Sequence, residues 1–319
     1  MRYKRINDLI NENNFNFVGL NNKKELITLL NLLENVNPCE QEYEIDKDTL
    51  VILYYLKLNL FNFKKIYPLN VKVQIIGLPI SISEKGYFGD VDSVLNIINK
   101  RKGLKILLNS DYEFKRGGRT LSTFVFENKF TSFNEYLNSL RSPYRRRINK
   151  ALNKREKLKI IKLENYNFDE KHYKLYLSIM ERTNNPLEIL NVDYFRNYDA
   201  EIYEFNDINS HETVAFIQLK EINKKLYFLF GGFHKENNEK YDIYFNMLLK
   251  IIEIGIEKNI DIIEFGQTAE ESKLKIGCKE KFKYLYVHHS NPILNIIIQG
   301  LLPIFSYKPY NIKHHVFKK

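Results

Sequence analysis

The stretch from Glu264 to Gly277, EFGQTAEESKLKIG, gathers the residue types best placed for chemistry in this 319-residue chain. Glu264 is a carboxylate in the otherwise apolar run 262–265, where burial would raise its pKa and suit it to act as a general base. A surface glutamate on an edge strand is the alternative. Thr268, followed three residues later by Glu271, has the spacing of a capping box, and Gly277 can stop the helix in the left-handed conformation. The helix between them is short and charged, and Lys273 sits one turn in. A lysine held there can meet developing negative charge without reorganising. Lys275 points about 200° away around the helix, toward solvent. A solvated connector is the competing reading of the whole segment.

Upstream, the run 226–230 is apolar on both faces and leads through Gly231, Gly232, Phe233, His234 and Lys235 into a polar loop, 234–240. A helix is expected over 241–258, with Tyr244, Phe245, Leu248, Leu249, Ile252 and Ile256 as a broad buried stripe. Tyr241 and Tyr244 at its start are candidate proton donors. Residues 141–159 carry nine basic side chains against one acid, Glu156. Arg145, Arg146 and Arg147 within that block could bind phosphates of a coenzyme, a nucleic acid or an anionic lipid, or form a solvated helix face.

Other chemistries fall away. There is no phosphate-binding P-loop, GxGxxG, HExxH or GxSxG sequence, which argues against P-loop kinases and Rossmann dehydrogenases. Cys39 and Cys278 are too few for a disulfide framework or a multi-cysteine zinc site, and the histidines lack ligand spacing, so no metal is expected. Asp90 and Asp92 suit the dipole of a helix start without a metal. No leader-like apolar segment and no membrane-length run is seen, so a cytoplasmic location is expected. The most apolar stretch, 293–305, is broken by Asn295, Gln299 and Pro303 and is expected to be a packed helix rather than an anchor.

These residues need a scaffold of two domains, by length alone. Hydrophobic residues make up 44% of the chain, with 22 Tyr and 22 Phe, enough for a substantial core despite a net charge of +10. Residues 1–68 read as a helical lead-in, with Leu26, Leu29, Leu30 and Leu33 on one face, a second apolar run over 50–61, and Pro68 closing it. Strands are expected at 71–76, 80–83, 104–108 and 121–126, with a helix at 91–100. Ser142-Pro143 opens a helix carrying the basic block. Beyond it come a strand at 158–163, helices at 171–182 and 187–196, and strands at 201–205 and 214–221. The expected division is residues 1–155, the lead-in and a first domain, and residues 156–319, a second domain with the active site.

A strand ending in Phe265-Gly266, then polar residues and Lys273-x-x-x-Gly277, resembles the closing motif of GNAT-like acyltransferases related to the Fem-type peptidoglycan aminoacyltransferases. The Gly231-Gly232-Phe233 strand leading through a polar loop to Tyr241-Asp242-Ile243-Tyr244 is similar to their strand-loop-helix element. Residues 133–140 with Arg141-Ser142-Pro143-Tyr144-Arg145-Arg146-Arg147-Ile148 resemble another helix of that superfamily. The resemblance spans roughly residues 70–290. It implies a mixed α/β (α+β) fold of tandem GNAT-like domains and N-acyl transfer from an activated donor, acyl-CoA, to a small-molecule or peptide amine. It also implies Lys273 on the family's recurrent lysine, backbone N–H groups after Phe230 facing the acyl carbonyl, and the 241–258 helix start facing a donor phosphate. The glycine-bearing pyrophosphate loop of acetyl-coenzyme A enzymes is replaced by HKENNEK at 234–240. An aminoacyl-tRNA donor, with the basic helix touching tRNA, is therefore the alternative, and a non-catalytic binder of nucleic acid or a membrane surface is another.

Overall fold

The computed structural model of the chain describes residues 1–12, 16–37, 39–59, 70–80, 82–182 and 188–318. Two compact units emerge: residues 1–121, 187–190 and 282–308 form the first, and residues 122–186, 191–281 and 309–319 the second. Each is a mixed sheet flanked by helices, the mixed α/β arrangement the sequence implied.

The first unit holds strands Arg2–Tyr3, Gln41–Asp46, Thr49–Asn59, Asn70–Ile76, Leu104–Ser110, Tyr284–His289 and Gly117–Arg119 in that spatial order, with Tyr87–Phe88 beside Thr49–Asn59. Among the described residues of this unit, only Asn70–Ile76 and Leu104–Ser110 run parallel. They are joined through helix Val91–Lys100, whose N-cap Asp90 accepts from the Ser93 N–H at 3.0 Å. Asp90 thus serves the helix start. The expected helical lead-in is corrected: helix Lys23–Val36 is present, but the apolar run from Leu50 belongs to the antiparallel pair of Gln41–Asp46 with Thr49–Asn59. Burial on both faces, not helical packing, explains that run. Its end at Phe61, and Pro68, lie outside the described residues. Ile80, Ile82 and Ser83 form bends, not a strand, and residue 81 is outside the described set.

The second unit orders its strands Lys279–Lys281, Thr123–Glu127, Ile262–Glu264, Lys225–Phe233, Thr213–Ile222, Glu201–Asp207 and Leu158–Leu163. Helix Ile243–Glu257 buries eleven residues, with Ile148 and Ala151 of helix Ser142–Arg155 in the same core. Helix Glu170–Arg182 covers the other face. Consecutive glycines show this: a Cβ on Gly231 would meet Met247 of one helix, and a Cβ on Gly232 the Leu175–Tyr176 backbone of the other. The expected helix at 187–196 is shorter, Val192–Asn197, and residue 187 is outside the described residues.

The first long stretch of the first unit ends at Leu121, and each unit is assembled from three stretches of the chain. Thr123–Glu127, read with the first block, pairs with Ile262–Glu264 and Lys279–Lys281 of the second sheet. Tyr284–His289, read with the second block, pairs with Leu104–Ser110 and Gly117–Arg119 of the first. Periodicity identifies strands but carries no information about which distant strand each will pair with.

Candidate active site

The sheet of the second unit opens along one strand, Lys225–Phe233. Ile262–Glu264 runs parallel to Lys225–Phe233 for three residues, ending where Glu264 faces Tyr227. Lys225–Phe233 continues past that point, paired only on its other edge with Thr213–Ile222. Among the described residues, positions 228–233 have no strand partner on the edge that Ile262–Glu264 leaves. The register slips there too: Leu219 faces Phe228 and Gln218 faces Phe230, so Leu229 is an extra, bulged residue. Bulging re-aims the backbone that follows it.

Opposite the bulge lies Gln218, fully buried, with neither amide atom hydrogen-bonded among the described residues. An unsatisfied buried amide of this kind is uncommon and costs about 1–3 kcal/mol. Gln218 was not singled out from sequence; a lone amide in the apolar strand 214–219 was the available signal.

Glu264 is buried in an interior strand, so the edge-strand alternative is corrected. Its carboxylate pairs with Lys225 at 2.6 Å and accepts from Thr123 Oγ1 at 3.2 Å. Lys273 is 1% exposed, not presented in an open cleft. Its Nζ donates to the carbonyls of Gly266 (3.1 Å) and Gln267 (2.6 Å) and lies 5.7 Å from the Phe124 ring centroid. Burial pushes its pKa down to about 7, while Cys278, Glu270 and Glu264 pull it back upward. Lys275 is partly exposed and paired with Glu271 at 2.6 Å.

The capping box does not form. Helix Glu270–Lys275 begins at Ala269, which is left-handed at φ 51° and makes no side-chain cap. Gly266 (φ 67°) and Thr268 (φ 63°) are left-handed as well. Three such residues in four make a tight reversal, unfavourable at Thr268 and Ala269, and the Lys273 amine binds the carbonyls within it. Glu271 turns to Lys275 instead of the helix start. Gly277 stops the helix at φ 100°, as its sequence position suggested.

The two tyrosines separate. Tyr241 is buried and donates to Asp207, whose carboxylate also accepts from the backbone of Asn209 (2.8 Å) and Ser210 (2.9 Å) and from Lys240 (3.2 Å). The Tyr241 bond, foremost, holds Asp207 well below the usual carboxylate range. Tyr244 is half-buried against Phe233, and burial, aided by Cys278 and Glu270, raises its phenol pKa. Lys273 and Tyr244 thus share two electrostatic neighbours, while Tyr241 belongs to a different network.

Gly231 and Gly232 lie inside Lys225–Phe233 rather than beyond its end. His234 is the N-cap of a short helix, Lys235–Tyr241, where a loop was expected; Lys235 is exposed. That helix breaks from Ile243–Glu257 at Asp242, left-handed at φ 53°. Arg147 forks onto Asp242, with 2.9 Å for the longer contact, and its guanidinium lies 4.1 Å from the Phe245 ring centroid. Arg145 and Arg146 have no ion-pair partner among the described residues. The arginine triad is therefore one structural clamp and two available cations. Among the described residues, no group of three His, Cys, Asp or Glu side chains could hold a metal.

No family model matches the chain, and no curated protein matches its sequence. Solved structures do match in fold. L-PGS from Bacillus licheniformis superposes with a TM-score of 0.51 at 13% identity, over 93% of this chain and 96% of that one. FemX aligns at 0.49 and 12% identity, over 83% and 91%. A GCN5-related N-acetyltransferase from Sphaerobacter thermophilus aligns at 0.43 and 9%, over 85% and 86%. The chain shares the overall fold of the L-PGS structure.

Proposed function

We propose that the chain is an N-acyltransferase that moves an acyl group from an activated donor, acyl-CoA, to a small-molecule or peptide amine. The observation that supports this most is the unpaired edge of residues 228–233, which contains the bulge at Leu229. Backbone N–H groups on such an edge are fixed donors for the oxyanion that forms as the amine attacks the acyl carbonyl. The breakdown of that adduct expels a leaving group that needs a proton. Tyr244 is the proposed donor of that proton, a phenol packed against Phe233 at the end of the open edge. Tyr241, committed to Asp207, is assigned to structure in this reading. Lys273 fixes the 266–269 reversal beside the opening, and Glu264 anchors Lys225 in the adjoining strand. Arg145 and Arg146, without acidic partners, are the proposed contacts for donor phosphates.

The same two arginines support a second reading, transfer from aminoacyl-tRNA, because the 234–240 segment is a glycine-free helix. A thermal shift with a panel of acyl-CoA esters and aminoacyl-tRNA distinguishes them, since a ligand at about 100 times its Kd stabilises by about 2.7 kcal/mol. A shift by one donor class, with acyl transfer to an amine, supports the corresponding reading. Neither binding nor transfer across both panels would overturn acyl transfer altogether.

A further inference from the structure

Helix Pro292–Phe305 of the first unit is built inside out, and this corrects the expectation of a packed helix. Its two amide side chains face the sheet: Asn295 accepts from the His289 N–H at 2.9 Å, and Gln299 donates to the Val287 carbonyl. Leu302 and Ile298 join the core there. Solvent meets Ile293, Ile296 and Ile304, each at least 70% exposed, with Leu294, Ile297 and Leu301 exposed between them. An ordinary surface helix shows the reverse pattern. Single exposed leucines or isoleucines need no explanation, but 293, 296, 297, 301 and 304 recur at three- and four-residue spacing and form one continuous strip. The helix contains no charged residue.

Cations flank this strip. Exposed Lys115 and Arg116 share with Asn295, Ile296, Gln299 and Gly300 a concave surface of about 500 Å³. The Arg119 guanidinium lies over the half-exposed Phe282 ring, and its carbonyl accepts from the Tyr307 N–H just past the helix. Lys308 follows, exposed. Of the nearby acids, Asp111 is held by Lys283 at 2.9 Å and Glu113 acts on Tyr284.

The geometry points to a docking surface for an anionic phospholipid bilayer, with the isoleucines among the upper acyl chains and Lys115, Arg116, Arg119 and Lys308 at the phosphates. Among the described residues no helix is long and apolar enough to cross a membrane, so this one would lie in the interface plane. A second copy of the chain fits less well: a twofold contact would set the flanking cations against their own equivalents. The inference does not depend on acyl transfer.

Full-length protein is sedimented with vesicles of phosphatidylcholine alone or of equal parts phosphatidylcholine and phosphatidylglycerol. Binding to the mixed vesicles is expected, and about tenfold or weaker binding to phosphatidylcholine. The triple substitution Ile293→Ser, Ile296→Ser, Ile304→Ser is expected to lower binding about tenfold or more at unchanged melting temperature, and Ile296→Ser alone to lower it by a smaller factor. Lys115→Gln with Arg116→Gln should reduce binding to mixed vesicles only. The proposal is overturned if wild-type protein ignores the mixed vesicles or if the triple variant binds as well as wild type. It is equally overturned if wild type is a dimer that the triple variant dissolves, which would give the face to a second copy.

Discussion

Lys273 is bound to the carbonyl of Gln267, six residues before it, so a buried amine closes the reversal from which its own helix starts. With its pKa near 7 in the folded chain and about 10.4 when unfolded, the unfolded state binds more protons between those values, and stability rises with pH across that window. Lys273→Met removes the titration. The stability of wild type minus that of the variant should increase from pH 7 to pH 10, by at most about 1.4 kcal/mol per pH unit. Denaturant titrations across that range check it, and a flat difference would show that Lys273 is not the titrating group. In the transfer assay Lys273→Ala should lower turnover together with stability, because the 266–269 reversal loses its tie, while Lys275→Ala stays near wild type.

Arg147 and its two neighbours should part company on substitution. Arg147→Gln breaks the fork on Asp242 and is expected to lower the melting temperature. Arg145→Gln with Arg146→Gln should leave melting unchanged and weaken donor binding. If the pair of substitutions leaves donor affinity untouched, those arginines are a solvated helix face.

Gln218→Met exchanges an unsatisfied buried amide for an apolar side chain of similar volume. Stability is expected to hold or rise by about 1 kcal/mol, because the desolvation cost of the amide disappears. If the amide serves a ligand at the bulge, turnover or substrate affinity falls at the same time. Loss of stability with unchanged kinetics would mark Gln218 as an ordinary packing residue.

Gly231 and Gly232 differ in what can yield. A Cβ at position 232 would sit 2.6 Å from the Tyr176 backbone nitrogen, which cannot move aside, whereas at 231 the nearest atom is the end of the Met247 side chain. Gly232→Ala should therefore cost about 1–3 kcal/mol in chemical denaturation and Gly231→Ala distinctly less.

Asp207 supplies an acid-side test. Its folded pKa is depressed, so its contribution is present above the unfolded carboxylate pKa and fades as pH falls through and below it. Tyr241→Phe should lower melting at neutral pH, with the difference from wild type shrinking under acid conditions. A difference that persists unchanged at low pH would assign the loss to packing alone.

Local signals were legible in sequence where a cap and a periodic face coincide. Helix Val91–Lys100 follows from Asp90 and the Val94, Ile97 and Ile98 face, and Gly277 from its place after a helix. Lys273 was picked out by position, but its burial was not legible, because a charged spacing says nothing about which carbonyls will surround an amine. Gly231-Gly232 looked like a strand end for a related reason. The helices that demand glycine approach the strand from distant sequence, on opposite faces. The 292–305 helix reads as apolar from composition, yet the inward turn of Asn295 and Gln299 depends on strand carbonyls and N–H groups that only the assembled sheet supplies.

The exchange of Thr123–Glu127 and Tyr284–His289 between sheets constrains the order of events on the ribosome. Leu104–Ser110 emerges early, but its antiparallel neighbour is synthesised about 180 residues later, a delay of roughly 10–40 s at ordinary elongation rates. Until then that strand has an open edge, and the first sheet cannot close as an independent early folding unit. Thr123–Glu127 waits in the same way for Ile262–Glu264 and Lys279–Lys281. Both sheets are completed within the same short interval of translation, so a chain truncated before that interval leaves two unfinished sheets rather than one finished domain.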